Sequence, residues 1–189
     1  MRQQVTIWYL EIDDPANLRP KRVTDPDVEL TQACEPNPEF SRFLYLAVGG
    51  DLYWTERLPW GWEEWQRFLN RPELETWVLY VRGTPAGYFE LERWGDGSAK
   101  ILYFGLLPEF IGRGLGGHLL TAAIQRGFAI GNGRVWVHTC SLDTKEALPN
   151  YQARGLRIFR EHTFERDLPD ELPGPWPHAG RPVWHPGRG

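Results

Sequence analysis

The residues of this sequence most suited to chemistry are four glycines, at positions 112, 114, 116 and 117, which lie directly before an apolar helical pattern. Glycines at a strand-to-helix junction let several backbone N–H groups point at one spot, and the helix N-terminus adds the positive end of its dipole there. The segment therefore predicts a binding site for a phosphate or pyrophosphate group.

Two common phosphate-binding motifs do not fit this segment. Gly112, Gly114 and Gly117 match the spacing of the dinucleotide fingerprint, but that motif directly follows a strand and has an acidic residue at the end of the next strand. Here Gly112 lies five residues after the strand pattern, and the next strand pattern ends at Cys140 without an acid. The Walker motif requires Lys and then Ser or Thr after its last glycine, where this sequence has His and Leu. The segment thus favours neither NAD nor ATP.

The elements that would position the segment alternate in a mixed α/β order. Strands are predicted at Val5–Ile12, Glu75–Arg82, Ala86–Arg93, Ala99–Leu107, Val135–Cys140 and Leu156–Phe164. Helices are predicted as a bent pair within 38–69, at Leu115–Ile130 and at Asp143–Arg154, the last with Asp143 and Glu146 as a capping box. The turn at 83–85 predicts an antiparallel hairpin, and the proline-rich stretch 13–38 predicts a loop with a short helix. Together they predict a central sheet flanked by helices.

Length and composition restrict the class of protein. The 189 residues suit one compact domain, predicted over 1–168, whereas residues 169–189 hold six Pro and four Gly and predict a tail without a core. The net charge of −4 argues against a nucleic-acid partner, and no apolar run reaches the roughly 18 residues of a membrane span. The N-terminus lacks a signal-peptide core and the chain has two cysteines, so we expect a reduced, cytoplasmic setting. The five histidines show no ligand spacing, so no metal is expected.

Two segments resemble motifs of the GCN5-related N-acetyltransferases (GNAT). The stretch Leu106–Gly117, an apolar strand end with Pro followed by Gly-x-Gly and a helix, resembles motif A. The stretch His138–Gly155 resembles motif B, with Ala147 and Tyr151 in register. The resemblance covers about residues 3–165. It implies the GNAT fold, a mixed and mostly antiparallel sheet in which a splayed parallel strand pair forms the cofactor site.

The resemblance implies acetyl-CoA as co-substrate and assigns roles to individual residues. Backbone groups at Leu106 would pair with the pantetheine arm and hold the oxyanion, and Tyr151 would protonate the leaving thiolate. Lys100 stands where many relatives have the Glu that acts as general base. Glu90 or Glu92 on the preceding strand could take that role, directly or through water, and Glu90 is preferred because it lies between aromatic neighbours. The residues expected to bind the cofactor are Leu106, Leu107, Gly112, Arg113, Gly114, Leu115, Gly116, Gly117, Asp143 and Tyr151.

Three departures from the family pattern keep two functions open. Lys100 replaces the Glu, Ile111 replaces the usual Arg or Gln, and Pro149 lies within the last helix, which must then begin later or bend. The first function is transfer of an acetyl group to a primary amine, of a small molecule or a protein, by direct attack in a ternary complex. The alternative is a non-catalytic acyl-CoA-binding or interaction module. A homodimer is compatible with both.

Aromatic residues and two further side chains lie near the expected site. Tryptophans at 54, 60, 62, 65 and 77 would line a cleft for an apolar or aromatic amine, or else belong to the core or a dimer contact. Tail tryptophans Trp176 and Trp184 would wrap a neighbouring subunit or lie in a disordered tail. His138 is expected as a satisfied core histidine, and Cys140 as structural, because direct transfer needs no enzyme nucleophile.

Overall fold

The computed structural model describes residues 2–176, which form seven strands and four α-helices. The strands are β1 (Arg2–Ile12), β2 (Val28–Gln32), β3 (Leu74–Val81), β4 (Thr84–Arg93), β5 (Ala99–Leu106), β6 (Val135–Cys140) and β7 (Arg157–Asp167). The helices are α1 (Pro38–Gly49), α2 (Trp62–Leu69), α3 (Leu115–Ile130) and α4 (Ala147–Ala153). Short 3-10 turns lie at Pro15–Asn17 and Pro108–Phe110.

All strands join one sheet in the order β2-β3-β4-β5-β6-β1-β7. Neighbouring strands are antiparallel except β5 and β6, which pair in parallel only from Ala99 opposite Val135 to Ile101 opposite Val137. A register shift in the β4–β5 ladder leaves Leu102 as an extra residue, and such a bulge bends a strand away from its neighbour. The predicted mixed sheet with a splayed parallel pair is confirmed.

The helices cover the two faces of this sheet. α3 buries Leu119, Leu120 and Ile124 completely against the face that carries Phe89. α1 places Leu44 and Val48 in a second cluster with Tyr88, which is next to Phe89 in β4 and therefore faces the opposite side. The site is consequently built on strands whose positions are fixed from both faces.

Most predicted elements are confirmed, and the differences have local causes. The hairpin of β3 and β4, the bounds of α3 and those of β6 agree with the sequence, whereas β2 was missed within the stretch expected to be loop. The last helix begins at Ala147, not Asp143, so the predicted capping box is wrong. The Asp143 carboxylate instead accepts hydrogen bonds from the hydroxyl of Thr139 and the N–H of Cys140. Pro149 falls in the first turn of α4, where no intrahelical N–H bond is required.

The described part of the chain after β7 packs back against the domain. Leu168 is buried, and the N–H of Gly174 donates to the carbonyl of Gly50 at the end of α1 (3.1 Å). Trp176 is exposed, and Trp184 and the rest of 177–189 lie outside the described residues. None of the helices in 2–176 combines the length and apolarity needed to cross a membrane.

Candidate functional site

A cavity of about 1450 Å³ lies where β5 and β6 separate. Its walls include the end of β5, the end of β6 and the glycine segment before α3. Its opposite end is lined by aromatic side chains between α1 and α2. One continuous space therefore joins the predicted phosphate site to the predicted acceptor side.

The glycine segment has the geometry that an anion requires. Gly112 and Gly114 have φ values of +83° and +79°, in the left-handed region that favours glycine. Gly114 precedes the first turn of α3 and provides no side-chain cap for its N–H groups. A Cβ on Gly112 would meet nothing within 4 Å, so space above the loop is open. The uncapped N–H groups and the helix dipole make this end of the cavity suited to phosphate oxygens.

Two cationic side chains border the same loop. A Cβ on Gly117 would lie 2.4 Å from Nη1 of Arg154 and 2.7 Å from Cδ of Lys21, and one on Gly114 would lie 3.6 Å from Nζ of Lys21. The main chain at Lys21 is tied to α3, because its N–H donates to the hydroxyl of Thr121 (2.9 Å). Nε of Arg154 is buried without a hydrogen-bond partner in the described chain. The cations add positive charge to the cradle, and Lys21 lines the cavity itself.

The backbone of Leu106 faces the gap between the strands. The N–H of the next residue, Leu107, donates to the carbonyl of Ala86 on the β4 side (2.9 Å). Because backbone groups alternate in direction along a strand, those of Leu106 point toward β6, where the ladder has already ended. An unpaired strand edge of this kind can accept an extended ligand as a further strand.

Tyr151 projects from α4 into the cavity and is 5% exposed. Its ring contacts Phe104 of β5, with 5.9 Å between ring centroids. Its hydroxyl makes no hydrogen bond to any residue within 2–176. Burial, with a smaller effect of the Asp143 carboxylate, raises the pKa of Tyr151 well above its ordinary value. The phenol is therefore protonated at neutral pH and can donate to a group in the cavity.

Asp143 and Cys140 line the cavity near Tyr151. Burial raises the pKa of the Asp143 carboxyl, although its bonds from Thr139 and the Cys140 N–H oppose that effect. Burial and the nearby Asp143 raise the pKa of the Cys140 thiol to about 11. A thiol with this pKa is almost wholly protonated at neutral pH, which is unsuited to a nucleophile.

Glu90 lies outside the cavity. Its side chain is 1% exposed, and both its oxygens accept hydrogen bonds from Arg57, at 3.0 and 2.8 Å. Burial would lower the pKa of Arg57, but the facing Glu90 carboxylate raises it overall. A carboxylate that is occupied in this way is not placed to accept a proton from an amine in the cavity, which corrects the base assignment made from the sequence.

Glu56, between α1 and α2, is a carboxylate that does line the cavity. Its Oε2 accepts a hydrogen bond from the Tyr45 hydroxyl (3.3 Å), and its Oε1 lies 3.6 Å from Nη2 of Arg166. Its charge affects the titration of both His138 and Asp143, on different walls of the cavity. This position makes the Glu56 carboxylate accessible from the cavity, and no local sequence pattern indicates it.

His138 and Lys100 also line the cavity. His138 is exposed to the cavity, so the expectation of a satisfied core histidine is wrong. Desolvation, and then the charge of Lys100, lower the pKa of His138 to about 4, so the imidazole is neutral at physiological pH. Burial lowers the pKa of Lys100, and Glu92 partly opposes that change.

The tryptophan cluster has divided roles. Trp54 and Trp60 line the cavity, together with Phe68 and Tyr103. Trp65 is 2% exposed in the core, and Trp62 is 58% exposed on the surface. Two tryptophans of the cluster therefore line the cavity, and their contact with an amine stays a prediction.

The Acetyltransferase (GNAT) family model matches residues 39–156, which is more than half of the chain. The chain belongs to the GNAT family.

Solved structures share the fold of this GNAT domain. A GCN5-related N-acetyltransferase from Kribbella flavida has a TM-score of 0.62 at 18% identity, over 87% of this chain and 58% of that one. A GNAT-family acetyltransferase from Novosphingobium aromaticivorans DSM 12444 has a TM-score of 0.57 at 19% identity, over 85% and 63%. An aminoglycoside acetyltransferase from an uncultured soil metagenomic sample, in complex with trehalose, has a TM-score of 0.56 at 19% identity, over 70% and 90%. A search of the curated proteins finds no match. The chain spans about three fifths of the first two structures, and at these identities the likeness concerns the fold.

Within the GNAT domain, the structure brings most of the predicted cofactor residues to one cavity. Those that line it are Leu106, Gly112, Gly114, Gly116, Gly117, Asp143 and Tyr151. The others lie just outside it: Leu107 packs in the core, Arg113 lies over the Phe110 ring, and Leu115 is buried. No cluster of three or more His, Cys, Asp or Glu able to hold a metal occurs in the part of the chain that the structure describes.

Proposed function

We propose that this GNAT domain transfers an acetyl group from acetyl-CoA to a primary amine by direct attack in a ternary complex. The observation that carries the proposal is the continuous cavity between the glycine cradle and the acceptor end, with the unpaired hydroxyl of Tyr151 on its wall. Family membership supports acyl transfer, and the cavity supports the arrangement of the two substrates.

The residues present suit a coenzyme A ligand. Amide groups from Gly112 to Gly117 and the cations Lys21 and Arg154 would hold the phosphate groups. The gap beside Leu106 would receive the extended pantetheine arm as an additional strand. Acetyl-CoA bound in this way would supply the thioester for attack by the amine.

The transfer requires a neutral amine, a stabilised oxyanion and a protonated leaving group. An amine with a pKa near 10.4 is neutral in only about 1 of 10³ molecules at pH 7, so removal of its proton is part of the task. Glu56 replaces Glu90 as the proposed base, since its carboxylate lines the cavity whereas that of Glu90 is buried against Arg57. The N–H of Leu106 would stabilise the oxyanion, which is worth about 3 kcal/mol per donor in other enzymes. Tyr151 would give its proton to the thiolate.

Calorimetry with acetyl-CoA, accompanied by a thermal melt, tests the binding part of this proposal. We expect micromolar binding, and at 100 times Kd about 2.7 kcal/mol of stabilisation, which raises Tm by roughly 5–10 °C for a domain of this size. Pantetheine lacks the nucleotide phosphates and should bind much more weakly. The absence of heat and of a Tm shift at millimolar acetyl-CoA would contradict the proposal.

Thiol release in the presence of an amine panel tests catalysis. Turnover that depends on an added amine supports the enzyme. Binding without any turnover supports the non-catalytic acyl-CoA-binding module instead, which Lys100 at the usual position of the base favours. Glu56→Gln should lower kcat, most strongly below the pKa of the amine, whereas Glu63→Gln on the outer side of α2 should have no effect.

A further inference from the structure

A group of charges on the acceptor wall has one more cation than it has anions. It consists of Arg71, Glu92 and Lys100, all of which line the cavity, and is called the Glu92 cluster below. Glu92 uses both its oxygens, since Oε1 contacts Nη1 of Arg71 and Oε2 accepts a hydrogen bond from the Trp94 indole (2.9 Å). The cluster therefore has two positive charges and one negative charge, and the negative charge is fully occupied.

Lys100 has no carboxylate partner of its own in the described chain. No Asp or Glu oxygen within 2–176 lies within 4.0 Å of its Nζ. Its Nζ instead lies 4.7 Å from the centroid of the Trp136 ring and 5.3 Å from that of Trp94. These rings attract a cation but carry no net charge, so they leave the charge itself uncompensated.

Arg71 also has a free donor. Its Nε donates to the carbonyl of Phe68 (3.2 Å) and its Nη1 is paired with Glu92, whereas its Nη2 is buried without a hydrogen-bond partner among the described residues. A buried charged donor without a partner is costly, and an anion in the cavity would remove that cost. The neighbouring cation Arg57 is already neutralised by Glu90, so the unmet positive charge belongs to the Glu92 cluster.

Apolar surface surrounds this charge. The guanidinium groups of Arg57 and Arg71 lie 4.0 and 4.3 Å from the centroid of the Phe68 ring. Phe68 and Trp60 line the same part of the cavity. The acceptor end thus offers one unpaired positive charge beside an aromatic wall.

We propose that the acceptor is an amine that carries a carboxylate and an apolar or aromatic body, as a free aromatic amino acid does. Its carboxylate would lie against Lys100 and Nη2 of Arg71, and its side chain against Phe68 and Trp60. This substrate class rests on the proposed acetyl transfer. In that transfer the amine N–C bond forms as the thioester C–S bond breaks, the base takes the amine proton, and the thiolate takes the Tyr151 proton.

The test compares amino acids with the amines that lack only the carboxylate: phenylalanine with phenethylamine, tryptophan with tryptamine, and leucine with isoamylamine. Thiol release gives kcat and KM for each compound. We expect kcat/KM to be at least tenfold higher for the amino acid in the aromatic pairs, as expected for one charge-assisted contact. A preference for the amines that lack the carboxylate overturns the inference.

Variants of Lys100 test whether this residue causes the preference for the carboxylate. Lys100→Met keeps the apolar stem and should raise KM for phenylalanine about tenfold, with kcat within twofold and KM for phenethylamine unchanged. Lys145→Met is the matched control, because Lys145 is exposed outside the cavity and is one of the three lysines of the chain. Equal losses for both compounds of a pair would mean a structural role for Lys100 and would contradict the proposal.

Failure of this inference can be distinguished from failure of the proposed function. Absence of acetyl-CoA binding to the wild-type protein contradicts both. If acetyl-CoA binds but phenylalanine neither turns over nor binds by calorimetry in the presence of coenzyme A, the acceptor class alone is overturned. Loss of acetyl-CoA binding by Lys100→Met would show that this variant does not fold. In that case Lys100→Gln and the comparison of substrate pairs with the wild-type protein test the inference.

Discussion

Replacement of Tyr151 by Phe removes one hydroxyl and leaves the packing of the ring on Phe104 intact. Because that hydroxyl has no hydrogen-bond partner in the described chain, its loss should change Tm by no more than about 2 °C. The expected defect is therefore confined to the chemical step.

The size of the defect follows from the leaving group. A thiol like that of coenzyme A has a pKa of about 8.5, so at pH 7 the leaving thiolate takes up a proton to become the stable product. A side chain positioned to give that proton in the transition state typically contributes about 10²-fold or more, so loss of the Tyr151 hydroxyl should reduce kcat by at least about tenfold. The Kd of acetyl-CoA should change less than twofold.

The assay is thiol release at saturating acetyl-CoA, with Kd from calorimetry on the same preparations. Tyr80→Phe is the matched control, since Tyr80 is a half-buried tyrosine of β3 that does not line the cavity. A Tyr151→Phe enzyme with unchanged kcat would refute the assignment of the acid. A loss of acetyl-CoA binding would show that the hydroxyl serves the binding of the ligand.

Three other predictions concern the glycine loop, the buried ion pair and the cavity histidine. Gly114→Ala forces a side chain into φ +79°, a strain of about 1 kcal/mol that the free loop relieves by leaving this conformation. Acetyl-CoA must then restore the conformation, so calorimetry should show a Kd about fivefold higher. An unchanged Kd would contradict the proposal that binding needs this loop conformation. Arg57→Met leaves Glu90 buried and unpaired, so the free energy of unfolding should fall by about 3–5 kcal/mol in denaturant titrations. Addition of Glu90→Gln should recover stability. An unchanged free energy of unfolding in Arg57→Met would contradict the pairing. The folded chain should protonate His138 only near pH 4, whereas the unfolded chain does so near pH 6.5, so this residue lowers stability as pH falls through that window. An NMR titration midpoint near 6.5 for His138 would contradict the lowered pKa of this residue in the folded chain.

The sequence predicts the cofactor side of the site better than the acceptor side. The glycines and α3 are adjacent in the chain, so their relation is local and the spacing of residues reveals it. Glu90 is neutralised by an Arg from another element, whereas Glu56 lines the cavity. The spacing of residues in the sequence does not reveal this difference. The Arg57–Glu90 pair joins residues 33 positions apart, and only the packing of the α1–α2 connection on β4 determines it.

Lys21 and β2 were missed for a related reason. The segment 13–38 is rich in proline and acids, so local pattern predicts a loop. The strand β2 forms because β3 offers a free edge at Trp77–Val81, and Lys21 reaches the glycine loop because its N–H bonds to Thr121, 100 residues away. Neither contact leaves a local signal. Composition predicts a tail from residue 169, and that boundary stays a prediction. In the structure Leu168 is buried, and the N–H of Gly174 donates to the carbonyl of Gly50.

The short parallel ladder between β5 and β6 is a weak connection between two halves of the sheet. Four strands lie on one side of it and three on the other, and only three register pairs join the two halves. Beyond Ile101 and Val137 the backbone amides that face the gap have no neighbouring strand, so we expect their hydrogens to exchange rapidly. An extended ligand arm that enters there completes the hydrogen bonding of the sheet and couples its two halves. Part of the rigidity of the domain then depends on the bound ligand. Slower amide hydrogen exchange along residues 102–106 and 138–140 in the liganded protein than in the free protein would measure that coupling directly.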